Sequence, residues 1–190
     1  ARTPKGAESV APAAAGFTAT ITSTKPFVNG LTASVKVGAD NVPPGKTVTG
    51  YYLSENPTAN PTGATPGWKA KPTTLPLSDL DGSHTVYVWA RTKTQVSARA
   101  EAVTFVDRVA PTIAFDVVPA TSTSRTVSVT FSGADAAGVA NSGVSKYAVV
   151  NGTTMPIGSS AAWVSSPPTS IKLPTGNGVK TVSAFVKDRA

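Results

Sequence analysis

The chain has a single histidine, and it sits in the run Asp81-Gly82-Ser83-His84. An acid, a hydroxyl and an imidazole are the parts of a hydrolytic triad, but a triad needs them to converge in space beside an oxyanion hole. Four successive residues at an Asp-Gly turn, entering the Val-rich run Thr85-Val86-Tyr87-Val88, instead describe a polar strand end next to a hairpin. Asp79 and Asp81 are spaced like an acid and base pair, yet in the repeat described below they align with Thr175 and Asn177, so the pair is not duplicated. The chain has no Cys, which excludes disulfides, thiolate metal sites and Cys nucleophiles. No Gly-rich phosphate cradle occurs either. The expectation is a protein that is not an enzyme, without catalytic or cofactor-binding residues.

Metal chemistry narrows to calcium, which takes clustered oxygen ligands. Asp107, with Asp40 or Asp135 at turns, is the candidate set. Ten acids in 190 residues are few for a dedicated site, and turn aspartates ordinarily cap their own backbone, so no metal is expected, with calcium at this junction as the one alternative.

The elements that would position these residues follow from composition and pattern. Charged residues make up 14% of the chain, against roughly 25% in average soluble proteins, while Gly and Pro number 16 each. That profile is rich in turns and strands. The longest apolar runs fall short of the roughly 18 residues a membrane helix needs, so no membrane span is expected. The net charge of +7 divides as +1 over residues 1–16, +3 over 17–108 and +3 over 109–190, with the cations placed singly. A nucleic-acid footprint concentrates Lys and Arg on one element, so no nucleic-acid binding is expected; a diffuse attraction to acidic polysaccharide fits better.

Residues 1–16, ARTPKGAESVAPAAAG, have no apolar period and read as a linker or ordered tail. The rest is written twice. Val48, Tyr51, Leu77, Gly82, Thr85 and Val86 match Val144, Tyr147, Leu173, Gly178, Thr181 and Val182 at an offset of 96, and Pro61 and Trp68 match Pro156 and Trp163 at 95. The units are 17–108 and 109–190. Each consists of short Val, Thr and aromatic runs between Gly, Pro, Asn and Asp clusters, the pattern of an all-β sandwich. Strands are expected near 17–22, 31–37, 47–53, 73–77, 84–91 and 99–106, then near 112–118, 125–131, 144–150, 169–173 and 180–187. The second unit has no counterpart of the run at 99–106, so it is expected to lack its last strand, either because the chain is part of a longer polypeptide in which that strand follows or because a strand from another molecule fills the gap.

Alternate residues of a strand face opposite sides. Val86, Val88 and Ala90 correspond to Val182, Ala184 and Val186 and are assigned to the core. The other face carries an aromatic beside a cation in both units: Trp89 with Arg91, and Phe185 with Lys187. These four are the candidate ligand or partner surface, on which a sugar or peptide could stack. Trp68 and Trp163 are expected as lids over one end of each sandwich. Asn151-Gly152-Thr153 is a glycosylation sequon, which has meaning only outside the cell.

The junction Asp107-Arg108-Val109-Ala110-Pro111-Thr112 and the run Lys187-Asp188-Arg189-Ala190 resemble the Asp-x-x-Ala-Pro-Thr junction and the Lys-Asp-x-x-Gly-Asn ending of tandem immunoglobulin-like or fibronectin-III-like repeats in large bacterial surface and secreted proteins. The resemblance covers residues 17–190. It departs at Thr92, which stands where Asp188 stands in the second unit. It implies two tandem Ig-like β-sandwich modules in an extracellular or cell-surface protein, serving as spacer, stalk, adhesive or filament-assembly unit. Partners would be neighbouring domains, or further copies joined by strand addition. A carbohydrate-binding module and an accessory segment of a larger secreted enzyme are the alternatives.

Overall fold

Val, Thr and aromatic side chains alternating along short runs favour the pleated backbone, because branched and flat side chains pack well on its faces. The computed structural model, which describes residues 16–138 and 141–190, follows this pattern, with strands and no helix among those residues. The linker expected over the first sixteen residues lies, but for Gly16, outside the described residues. The strands are β1 (Thr18–Ser23), β2 (Phe27–Val28), β3 (Thr32–Asp40), β4 (Gly50–Ser54), β5 (Thr74–Pro76), β6 (Gly82–Arg91) and β7 (Ala100–Val106). They continue as β8 (Thr112–Val117), β9 (Thr126–Ser128), β10 (Thr130–Ala134), β11 (Lys146–Asn151), β12 (Ser170–Lys172) and β13 (Val182–Lys187).

β1 to β7 pair only among themselves, as a sheet β1-β3-β5 and a sheet β2-β7-β6-β4, and β8 to β13 pair only among themselves. In the first set β3 serves two partners, β5 through Thr32–Ser34 and β1 through Val35–Asp40. The second set divides the same work between β9, paired with β12, and β10, paired with β8. Hence the single strand expected at 125–131 is two strands. The break falls at Val129, which is buried and whose N–H donates to Thr169 O at 3.0 Å; the register shift between Thr130 and Phe131 turns the chain from one partner to the other. β2 was not visible in the sequence because two residues in parallel pairing with Phe105 and Val106 are too short to show alternation.

The face assignment of β6 holds: Val86, Val88 and Ala90 are buried at 1%, 0% and 0% exposure, against Ala33, Val35 and Val37 of β3. The second set is thinner. Ile113 and Phe115 of β8 are 38% and 41% exposed, whereas Ala19 of β1 is 3% exposed. β6 is flanked by β4 and β7, while β13 is paired with β11 alone among the described residues. β6 begins at a glycine in the left-handed region, Gly82 at φ 108°, and Gly178 at φ 107° stands in the same region ahead of β13, a conformation that side chains with a Cβ rarely adopt.

Because Val88 is fully buried, Val88→Asp should destabilise the first set by about 3–5 kcal/mol, the effect of a buried charge without a partner. Val103→Lys, on the exposed face of β7, should change stability by less than about 0.5 kcal/mol. Urea titration of both variants measures this, and equal losses would contradict the face assignment.

Candidate functional site

Two arrangements gather the polar and aromatic chemistry of the chain. The first lies where the strand sets meet. Asp107 directly follows β7 and is 1% exposed. Its Oδ1 accepts the N–H of Val109 at 3.1 Å and its Oδ2 accepts the N–H of Ser142 at 2.8 Å, so one carboxylate holds backbone on both sides of the junction. Asp135, just past β10, accepts from Ala136 and Gly143 N–H at 2.9 and 2.6 Å. Asp188, just past β13, accepts from Ala190 N–H at 3.1 Å. One oxygen from each of Asp107, Asp135 and Asp188 lies within 4.8 Å of the others.

Of the residues put forward for calcium, Asp107 and Asp135 therefore meet and Asp40 does not, because it ends β3 opposite Thr18. Asp188 is the member that spacing did not select; its signal was the Lys-Asp-x-x run. The position also has a counterpart in the first set. Thr92 Oγ1 accepts the N–H of Thr94 at 3.3 Å, as Asp188 accepts that of Ala190, so both residues cap the turn leaving their strand and only one brings a charge. Three carboxylates are half the six to eight oxygens that Ca²⁺ takes, and backbone N–H groups already occupy oxygens of each.

The carboxylates respond oppositely to this setting. Burial works against ionisation of Asp107, but the hydrogen bonds from Ser142 and Val109 outweigh it and hold its carboxyl below the usual value. Burial raises that of Asp188, and the charges of Asp107 and Asp135 raise it further. Arg108 braces the other side of the junction, reaching Asp79 and Asp81 at 2.6 Å each. Arg189, on the Ser142 side, places its guanidinium 5.8 Å from the centre of the Phe27 ring.

The second arrangement occurs twice. Trp68 Nε1 donates to Thr62 O at 3.0 Å, and Trp163 Nε1 donates to Ile157 O at 3.0 Å, each six residues back. Arg91 lies over the Trp68 ring at 4.9 Å and donates to Gly63 O; Lys187 lies over the Trp163 ring at 4.7 Å and donates to Gly158 O at 3.1 Å. The residue after each Trp exchanges two backbone hydrogen bonds with the adjacent strand, Lys69 with Tyr51 and Val164 with Tyr147. The Trp is thus not a lid over the end of the sandwich. It clamps a long loop along the outer edge of β4 or β11, and the cation beside it is part of the clamp.

This places the four residues of the expected ligand surface. Trp89 is 5% exposed, with Tyr52 at 6.0 Å and Tyr87 at 6.5 Å between ring centres. Arg91 and Lys187 are committed to Trp68 and Trp163, and Phe185 is half-buried opposite Ala148. Sequence reasoning identified the aromatic beside a cation but missed that the loop returns to cover them. Asn151 is exposed, and its Nδ2 donates to Lys172 O at 3.0 Å.

His84 is not assembled into a triad. Its ring is buried, with Nδ1 2.6 Å from Glu55 Oε1 and Nε2 2.9 Å from Leu80 O. Both nitrogens face acceptors within the protein, and Glu55 also takes the N–H of Ser78 at 2.5 Å. The histidine ties the loop before β6 to the loop after β4. Comparison with protein-family models and with curated proteins finds no match to this chain.

The opposite carboxylate responses predict a stability curve with a maximum in mild acid. Asp188, raised in the fold, weakens stability while it is ionised and ceases to do so as pH falls through its folded pKa. Asp107, depressed in the fold, supports stability above its unfolded pKa and loses that support as pH falls through its lower, folded one. Thermal melts across the acid range should therefore rise and then fall. Asp188→Asn should raise the melting temperature at neutral pH and remove the rise, whereas Asp107→Asn should lower it; a destabilising Asp188→Asn would refute the repulsion.

Proposed function

We propose that the chain is a pair of tandem Ig-like sandwich modules from an extracellular bacterial protein, acting without catalysis as a spacer and assembly unit. The observation that carries this reading is the junction. Asp107 holds the backbone of the second module at Ser142, while the next residue, Arg108, holds the loop before β6 of the first. Pro111 fixes one more backbone angle within the same short connection. A connection tied on both sides in this way transmits orientation from one module to the next, which is the requirement of a stalk. The doubled indole and cation clamp supports the repeat, since equivalent residues make equivalent bonds in both modules. It also supports a stalk in another respect: β4 and β11 each have an edge covered by the clamped loop, and covered edges resist unplanned pairing between neighbours.

Other features point the same way. Polar groups that resemble catalytic parts are used to tie loops, as with His84, Glu55 and Leu80. The aromatic groups that resemble a sugar platform are packed by their own module.

If the junction sets the angle between modules, small-angle X-ray scattering should give a narrow distribution of intramolecular distances for the wild type. Asp107→Ala together with Arg108→Ala should broaden it and increase the radius of gyration, while the β-sheet signal in circular dichroism below the melting transition is retained. A wild-type profile already as broad as that of the double variant would remove the basis for the spacer reading.

A further inference from the structure

β5 leaves β3 early, and a cleft opens where it leaves. The two strands pair only through Thr32–Ser34, and the last bond between them runs from Val35 N–H to Thr73 O at 2.8 Å. The residue before Thr73 is Pro72, which has no N–H to carry the ladder further. β3 itself continues to Asp40, held along its other edge by β1. Successive residues of a strand turn their N–H and C=O to opposite edges. Ser34 O accepts from Thr24 on the β1 side and Val35 N–H donates on the β5 side, so Val37 and Ala39 direct their backbone groups into the space that β5 has left. Among the described residues no strand pairs with them there. Val37 is nevertheless only 5% exposed, and a buried backbone group without a protein partner takes one from elsewhere.

The cleft at this place measures about 440 Å³, and its walls include Val35, Val37 and Pro72. That volume falls within the roughly 300–1,000 Å³ of small-ligand sites. Lys36 and Lys71 border it, both exposed, and no acid is among its lining residues. The ion pairs of the described residues are made by His84, Arg99 and Arg108, and the lysine ammoniums that donate hydrogen bonds there are those of Lys180 and Lys187. Asp40 shares the outer face of β3 but stands four residues beyond Lys36, ~13 Å along the strand. Two uncommitted cations beside an apolar wall focus an attractive field on an anion.

The second strand set separates what the fold requires from what it does not. It repeats the break, with Val129 N–H donating to Thr169 O at 3.0 Å and Pro168 preceding Thr169. Yet Thr130 stands where Lys36 stands, and the run Lys69-Ala70-Lys71 is replaced by Val164-Ser165-Ser166-Pro167. The bond and the proline belong to the scaffold. The cations are an addition confined to the first set.

The surroundings narrow the ligand. No aromatic ring lines the cleft, so it lacks the stacking platform that single-stranded nucleic acid uses. The free edge runs for two alternate residues before Asn41 turns the chain at φ 52°, too short to hold a peptide strand. Hydroxyls of Ser34, Thr73 and Thr74 stand around it. We propose that this cleft binds a negatively charged saccharide, with a carboxylate or sulfate between Lys36 and Lys71 and sugar hydroxyls meeting Ser34, Thr73 and the unpaired edge at Val37. The site lies apart from the junction and adds a ligand to a chain read above only as a spacer.

The test is calorimetric titration of the 190-residue chain in dilute salt with three probes: a hexamer of galacturonic acid, its neutral methyl ester, and a sulfated hexasaccharide of the heparin type. At least one anionic probe should bind at a single site and the ester should not; the tighter of the two anions names the source of the charge. Lys36→Gln with Lys71→Gln should weaken binding at least tenfold. Lys93→Gln with Lys172→Gln removes the same charge from exposed positions elsewhere and should weaken it less than twofold. All four positions are exposed, so melting temperatures should stay at the wild-type value. In NMR spectra the bound probe should shift the amides of Val37 and Thr73 and leave those of Val129 and Thr169 in place. Failure of both anions to bind overturns the proposal, and so does an equal loss in the two double variants, which would reduce the effect to diffuse attraction; the spacer reading survives either result.

Discussion

A carboxylate with 1% exposure must find donors within the protein or lose its charge, and Asp107 finds them on two segments far apart in sequence. One donor is its own chain two residues on, and the other belongs to a loop 35 residues further along. Everything at the junction follows from meeting that requirement. Ser142 must be held where its N–H reaches the acid, and it is held by Arg189, whose N–H donates to Ser142 Oγ and whose guanidinium donates to Ser142 O. Arg189 in turn reaches across to Phe27. Asp188 is drawn into the same place because it precedes Arg189, and the repulsion it suffers there is a consequence of satisfying Asp107.

The long loops solve a different problem in the same way. A stretch rich in Pro, Gly and Thr has little apolar surface with which to hold itself on a sheet. The indole supplies that surface, its N–H closes the loop on itself, and the cation on the central strand covers the ring. Lys187, where the first strand set has Arg91, keeps the charge and the bond to a glycine carbonyl but changes the fork to a point charge. In the first strand set the stack continues through Tyr52, Trp89 and Tyr87 to Arg99. No equivalent extension is found among the described residues of the second, where Ser183 replaces Tyr87.

Much of the fold was legible because alternation and turn residues act locally. β1, β3, β6 and β7 declare themselves by period, and comparison of the similar runs 84–91 and 180–187 separated the inward Val and Ala from the aromatics on the other face. What was not legible depends on distant partners. The switch at Val129 is set by which strands lie alongside, β2 exists only because Phe105 and Val106 pass it, and Asp135 and Asp188 are 53 residues apart. The outward face of β6 was read correctly as aromatic and cationic, but whether such a face is open or covered depends on the path of a loop, and composition does not specify a path.

The parallel contacts of the first set have a mechanical meaning. β1 meets the start of β7 at Thr18 and Ala98, and β2 runs parallel to the end of β7 at Phe27 and Val28. A chain that enters and leaves a unit along parallel neighbours enters at one pole and departs from the other. Tension along the polypeptide then pulls β1 and β2 against β7 lengthwise, loading the bonds between them together in shear rather than peeling them one after another. Such a unit yields late and all at once.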